Sequence, residues 1–77
     1  MDKLIGKTTR GENVWTFHTP QYCMNYINSY NNSIGFWLRS IQVNGSSEDR
    51  LEWLKACVTE RNRLKRILSV VLQHEPD

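Results

Sequence analysis

The chain has no apolar run long enough to cross a bilayer as a helix. Its longest such stretch, Ile67 to Leu72, is broken by Ser69 and falls far short of the ~20 residues a membrane span needs. No apolar stretch follows Met1-Asp2-Lys3-Leu4-Ile5-Gly6-Lys7, so a signal peptide is not expected and a cytoplasmic protein is. Asn31-Asn32-Ser33 and Asn44-Gly45-Ser46 match the glycosylation pattern, which means nothing without secretion. Two cysteines, Cys23 and Cys57, make no disulfide framework and are expected as reduced thiols. The two histidines, His18 and His74, form no zinc spacing with them. Neither a Ser-His-Asp or Cys-His arrangement nor a pair of acids for general acid–base work is recognisable. Gly6-Lys7-Thr8 looks like the end of a phosphate-binding loop, but that pattern wants a glycine five residues earlier, where Met1 stands. A net charge of +2 does not by itself imply nucleic acid. The expectation is no cofactor, no metal and no enzyme.

What is present is an aromatic-rich chain of 77 residues, with three Trp and three Tyr, which argues against disorder. That length allows one small domain, residues 1–77, with a thin core. The first eighteen residues suggest a β-hairpin: a strand over Lys3 to Thr8, a tight turn at Arg10-Gly11, and a second strand over Val14 to His18. Thr19-Pro20 is a helix start, with Thr at the N-cap and Pro at the first helical position. This medium helix is expected to run to about Tyr30, with Cys23, Ile27 and Tyr30 inward, and to end at Asn31-Asn32-Ser33, whose short polar side chains compete for backbone hydrogen bonds. Ile34 to Val43 fits either a helix face or a strand; Gly35, the pair Phe36-Trp37 and the closing Ile41-Gln42-Val43 favour a third strand. Asn44-Gly45 turns the chain. Ser46 with Asp49 reads as a capping box opening a long amphipathic helix from about Glu48 to Gln73, with Pro76 beyond its end. The fold class is therefore α+β, with a mostly helical protein as the alternative.

The long helix carries the most informative pattern. Leu54, Cys57, Arg61, Leu64, Leu68 and Val71 follow alternating steps of three and four, the seam of a heptad repeat. Trp53 and Ile67 widen the stripe on one side; Leu51, Val58 and Leu72 widen it on the other. A dimer interface is expected at Leu54, Arg61, Leu64 and Leu68, with Arg61 setting register beside a partner's Glu60 and that Glu60 also reaching Lys65. Alternatively, Arg61 lies at the edge of a monomeric core with its stem buried and its head wet.

Two further clusters bear on partners. Tyr22, Tyr26 and Tyr30 recur every four residues, and Tyr and Trp are the side chains in which interface energy concentrates; Tyr22, Tyr26 and Trp37 are the candidate protein-binding residues. Arg61, Arg63, Lys65 and Arg66 form a basic cluster, from which Arg63 and Arg66 are the candidate nucleic-acid contacts. The preferred reading is a non-enzymatic protein-binding module, a homodimer acting as a modulator or inhibitor of a macromolecular partner. The alternative is a small nucleic-acid-binding regulator. In size and aromatic content the chain is similar in style to small accessory proteins of bacteriophages and mobile elements, a likeness of type without a motif.

Overall fold

The computed structural model describes residues 1–74, and Pro76 lies outside them. Four elements follow in order: β1 (Leu4–Lys7), β2 (Asn13–Trp15), α1 (Pro20–Asn44) and α2 (Glu48–Gln73). The fold is α+β, a two-stranded hairpin packed on a helical pair.

β1 and β2 pair antiparallel, with Leu4 opposite Trp15, Gly6 opposite Val14 and Lys7 opposite Asn13; the register shifts between Leu4 and Gly6. The expected turn is present. Gly11 takes φ 80°, which disfavours any residue with a Cβ, and its N–H donates to the Thr8 carbonyl at 2.9 Å. The second strand stops at Trp15, three residues early. The chain bends there, with His18 N–H donating to the Trp15 carbonyl, and the His18 ring folds back so that Nδ1 accepts the Trp15 N–H at 3.0 Å.

α1 begins as expected. Thr19 Oγ1 accepts the Tyr22 N–H at 3.1 Å and Pro20 follows the cap. It does not end at Tyr30, and the third strand over Ile34 to Val43 does not exist: one helix runs unbroken from Pro20 to Asn44. Cys23, Ile27, Tyr30, Ile34, Trp37 and Ile41 explain why. They alternate by four and three, a heptad seam equal in length to that of α2, and only a helix puts them all on one side. Burial of that seam outweighs the weaker local preferences of Asn31-Asn32-Ser33 and of the β-formers after it.

Gly45, at φ 82°, closes α1 with its N–H on the Ile41 carbonyl, and α2 starts three residues later. The N-cap is Ser47, one residue later than expected, and its Oγ accepts the Arg50 N–H at 3.3 Å. The residue three beyond the cap is therefore Arg50, so no capping box forms. Glu48 and Asp49 still lie in the first turn, at the positive end of the helix dipole.

The short connection makes α1 and α2 antiparallel. Asn31 meets Arg61 across the pair, and Trp37 meets Trp53. The core, Val14, Cys23, Ile27, Leu64 and Ile67, lies at the open end of the pair, where the hairpin docks. Gly6 approaches α2 so closely that a Cβ there would meet Val70 Cγ1 at 3.3 Å. The molecule is elongated, 51 × 22 × 20 Å.

Candidate interaction surface

The expected sites divide into residues used within the chain and residues left open. Leu64 belongs to the first group, at 6% exposure in the chain's own core. Leu54 and Leu68 are half-buried along the seam, and Leu68 packs against that core. Arg61 donates through Nη1 to Asn31 Oδ1 at 3.3 Å, and through Nε and Nη2 to Asn62 Oδ1. The seam assigned to a dimer is thus occupied by α1, and Arg61 sits at the rim of a core within one chain. Ile67, fully buried, is the centre of the α2 stripe rather than Leu68.

Arg63 and Arg66 are also engaged. Glu12, on the turn between the strands, accepts a two-pronged bond from Arg66, Nε to Oε1 at 2.8 Å and Nη2 to Oε2 at 2.9 Å. Arg63 Nε lies 3.5 Å from Glu12 Oε2, and its Nη1 donates to Glu60 Oε2 at 3.4 Å. Thr8 Oγ1 donates to Glu12 Oε1 at 2.7 Å and accepts the Glu12 N–H at 3.2 Å. The Arg66 bond, joined by the Thr8 bond and the two guanidinium charges, outweighs partial desolvation and lowers the Glu12 pKa to about 2. The same bond raises the Arg66 pKa. This network clamps the hairpin turn to the side of α2.

Two aromatic groups mark the outside. At the open end, Tyr22 stacks edge-on to Phe17 and His18, with centroids 5.7 and 5.5 Å away, and lies 4.7 Å from the Tyr26 ring. Tyr22 is half-buried and packs on the core, whereas Tyr26 is exposed. At the other end, Trp37 stacks on Trp53 with 6.3 Å between centroids and 8° between planes, and Phe36 stands edge-on to Trp37 at 5.3 Å. Trp37 itself is half-buried.

The distal arm of the helical pair carries a group of open apolar side chains that the hairpin does not reach. Phe36 is 65% exposed, Val43 76% and Trp53 59%, with Leu38 and Leu51 about half exposed. Trp53 lies two heptads before Ile67, so it occupies the same side of α2. The hairpin covers that side at Ile67 and Val70 and stops before Trp53. Phe36 and Val43, seven residues apart, lie on the outer face of α1; Leu38 and Leu51 flank the seam on the side away from Trp53. Trp53 was placed on the α2 stripe without being taken as a site residue, and Phe36 and Val43 were missed because Ile34 to Val43 was read as a strand. The signal that finds them is the outer column Tyr22, Phe36 and Val43 at multiples of seven residues, legible only once α1 is continuous.

Among the described residues no three His, Cys, Asp or Glu side chains gather as metal ligands, and Cys23 and Cys57 are free and buried. No helix among them is long and apolar enough to cross a membrane. No protein-family model, curated protein or solved structure matches this chain.

Proposed function

We propose that the chain is a non-enzymatic protein-binding module, a small modulator or inhibitor of a macromolecular partner of the phage or mobile-element accessory type. The observation that carries this reading is the bare distal arm. A two-helix layer buries only its shared seam, and a third layer is present at one end alone. Contiguous exposed apolar side chains rimmed by charge are the usual mark of a protein contact. Arg39, Glu48, Asp49, Glu52 and Lys55 are among the charged residues of this arm.

The partner's contribution is an amphipathic helix or helical pair laid beside Trp53, Phe36 and Val43, in line with the hairpin. A second copy of this chain supplies such an element, so a homodimer joined at the distal arms is one form of the reading. Of the expected anchors, Trp37 lies beside this surface, whereas Tyr26 lies at the hairpin end next to Tyr22, which serves the core. A cytoplasmic location goes with this reading, because Cys23 and Cys57 stay thiols there. The nucleic-acid alternative has less support, since a phosphate would have to displace Glu12 from Arg66 and Arg63.

The test is sedimentation of the wild-type chain and of Phe36→Asp and Trp53→Asp, followed by capture from a nuclease-treated host lysate. The reading expects a dimer or a specific protein complex that both variants lose while circular dichroism is unchanged. A strictly monomeric chain whose only ligand is nucleic acid, lost in Arg63→Ala/Arg66→Ala and kept in Phe36→Asp, overturns it.

A further inference from the structure

We propose that the outer face of α1, turned away from α2, pairs antiparallel with the same face of a second copy of this chain. This deepens the reading above. It rests on the premise that exposed side chains of the helical pair form a protein contact, and it names the occupant and the face.

Spacing defines the face. Gln21, Asn25, Asn28, Asn32 and Gly35 each stand two residues before a seam residue of α1. Two residues are about 200° around a helix, so this row lies opposite the seam. All five are exposed. Asn and Gly are among the poorer helix formers, and nothing within the chain lies within 4 Å of a Cβ placed on Gly35. Charge is the second observation. Arg39 is the only charged residue among the 25 of α1, whereas α2 carries most of the charge of the chain. A solvated helix face normally carries charged side chains. Depletion of charge with aromatic residues alongside is the composition of an interface core.

The occupant follows from the chemistry of the row. A side-chain amide donates through its N–H₂ and accepts through its oxygen; Gln21 Nε2 already donates to Asn25 Oδ1 at 2.7 Å. A row of amides is therefore complementary to itself. In a twofold contact the same patch meets itself, so a charge of one sign near the axis would face its own copy. From Gln21 to Gly35 the row has no charge. A charged partner would lose hydration there and find no opposite charge. A twofold axis close to Asn28 sets the register, with Asn25 opposite Asn32 of the other copy and the long Gln21 opposite Gly35. Tyr22 and Phe36 each follow a row residue by one, so they share an edge. The same operation brings Phe36, 65% exposed, beside Tyr22 of the other copy. Arg39 falls beyond the start of the other α1, so the contact buries no charge.

The test is sedimentation equilibrium of the full chain up to about 1 mM, with circular dichroism to show that each variant keeps its helices. About 21 Å of helix in contact is a small interface, and a Kd on the order of 100 µM is expected. Asn25→Lys/Asn32→Lys sets like charges against each other across the twofold and should raise Kd at least about tenfold. Asn25→Lys/Asn32→Glu sets opposite charges there and should stay within about threefold of the wild type. Thr59→Lys/Ser69→Lys adds the same charge at exposed positions of α2 and should also stay within about threefold. Trp53→Asp should leave the dimer intact. A wild-type monomer at about 1 mM overturns the inference. So does Asn25→Lys/Asn32→Glu as weak as Asn25→Lys/Asn32→Lys, or the latter no weaker than the α2 control. Loss of the dimer in Trp53→Asp places it at the distal arm and overturns the inference as well. A chain that stays monomeric yet captures a host protein through Trp53 sinks this inference and leaves the reading above standing. The dimer in the expected pattern, with no captured protein that depends on Trp53, supports the inference and removes the distal-arm surface.

Discussion

Replacing Glu12 should loosen the hairpin without touching the apolar core. Glu12→Gln keeps the size and one acceptor oxygen, removes the charge, and turns an amide N–H₂ toward donors that already crowd the site. The shift of its pKa from 4.5 to about 2 corresponds to about 3 kcal/mol at most. The side chain keeps 20% of its surface exposed, and screening by water reduces that ceiling to about 1–2 kcal/mol. For a domain of this size such a loss lowers Tm by roughly 5–15 °C. The same group sets an acid limb. Because its pKa is depressed in the folded state, Glu12 contributes its full stabilisation above about 4.5, and that contribution fades as pH falls through about 2. Thermal unfolding followed by circular dichroism from pH 7 to pH 2 should therefore show two curves, wild type above Glu12→Gln at neutral pH and merging with it near pH 2. A Glu12→Gln chain with the wild-type Tm at pH 7 and the same acid limb would refute the clamp. A double-mutant cycle with Arg66→Gln gives the same answer independently: the second substitution should add little once the first is made.

Ile67→Ala should cost about 2–5 kcal/mol in urea unfolding, since Ile67 is fully buried between the hairpin and the helical pair; Leu68→Ala should cost less, and the reverse order would move the core. Gly35→Ala should stabilise by about 0.5–1 kcal/mol, because Gly35 lies inside α1 with nothing within 4 Å of a Cβ placed there; a loss of stability would show that α1 breaks at this point. His18 has its pKa lowered by burial first and by Arg63 second, so its contribution is full above the ordinary 6.5 and is lost as pH falls through its folded value. Protonation at Nδ1 also removes the acceptor for the Trp15 N–H. Stability should already fall below pH 6.5, at a higher pH than the Glu12 limb, and His18→Asn should flatten this upper step in a differential scanning measurement.

Much of the outline is legible in the residues because its signals are local. The Arg10-Gly11 turn, the Thr19-Pro20 start and the span from Glu48 to Gln73 each depend on a few neighbours, and each holds to within a residue or two. Ser47 caps α2 where Ser46 is the expected cap, an ambiguity intrinsic to two adjacent serines. The error at Ile34 to Val43 is also instructive. Gly35, Phe36 and Trp37 taken alone favour a strand, and Asn31-Asn32-Ser33 taken alone end a helix. Only counting across the asparagines, from Cys23 to Ile41, recovers the repeat. The clamp has no local signal at all: Glu12 and Arg66 are 54 residues apart, and their meeting depends on where the hairpin docks. Hence Arg63 and Arg66 resemble a free basic patch in the linear chain and are paired in the folded one.

The heptad of α2 shows why a coiled-coil pattern does not by itself specify a dimer. A seam needs a partner of matching period and length, and either another chain or the same chain can supply it. Here α1 has 25 residues to the 26 of α2, the two repeats match, and a connection of Gly45, Ser46 and Ser47 keeps them antiparallel. A partner tethered by so short a loop has a high effective concentration, so the seam closes within the chain before a second copy can compete. Any self-association must then use surface outside the seam, where Trp53 and Phe36 lie. Alanine at Leu64 therefore cannot distinguish dimer loss from unfolding, because Leu64 lies in the core of its own chain. Asp at Phe36 can, because that side chain is 65% exposed and its loss leaves both seams intact.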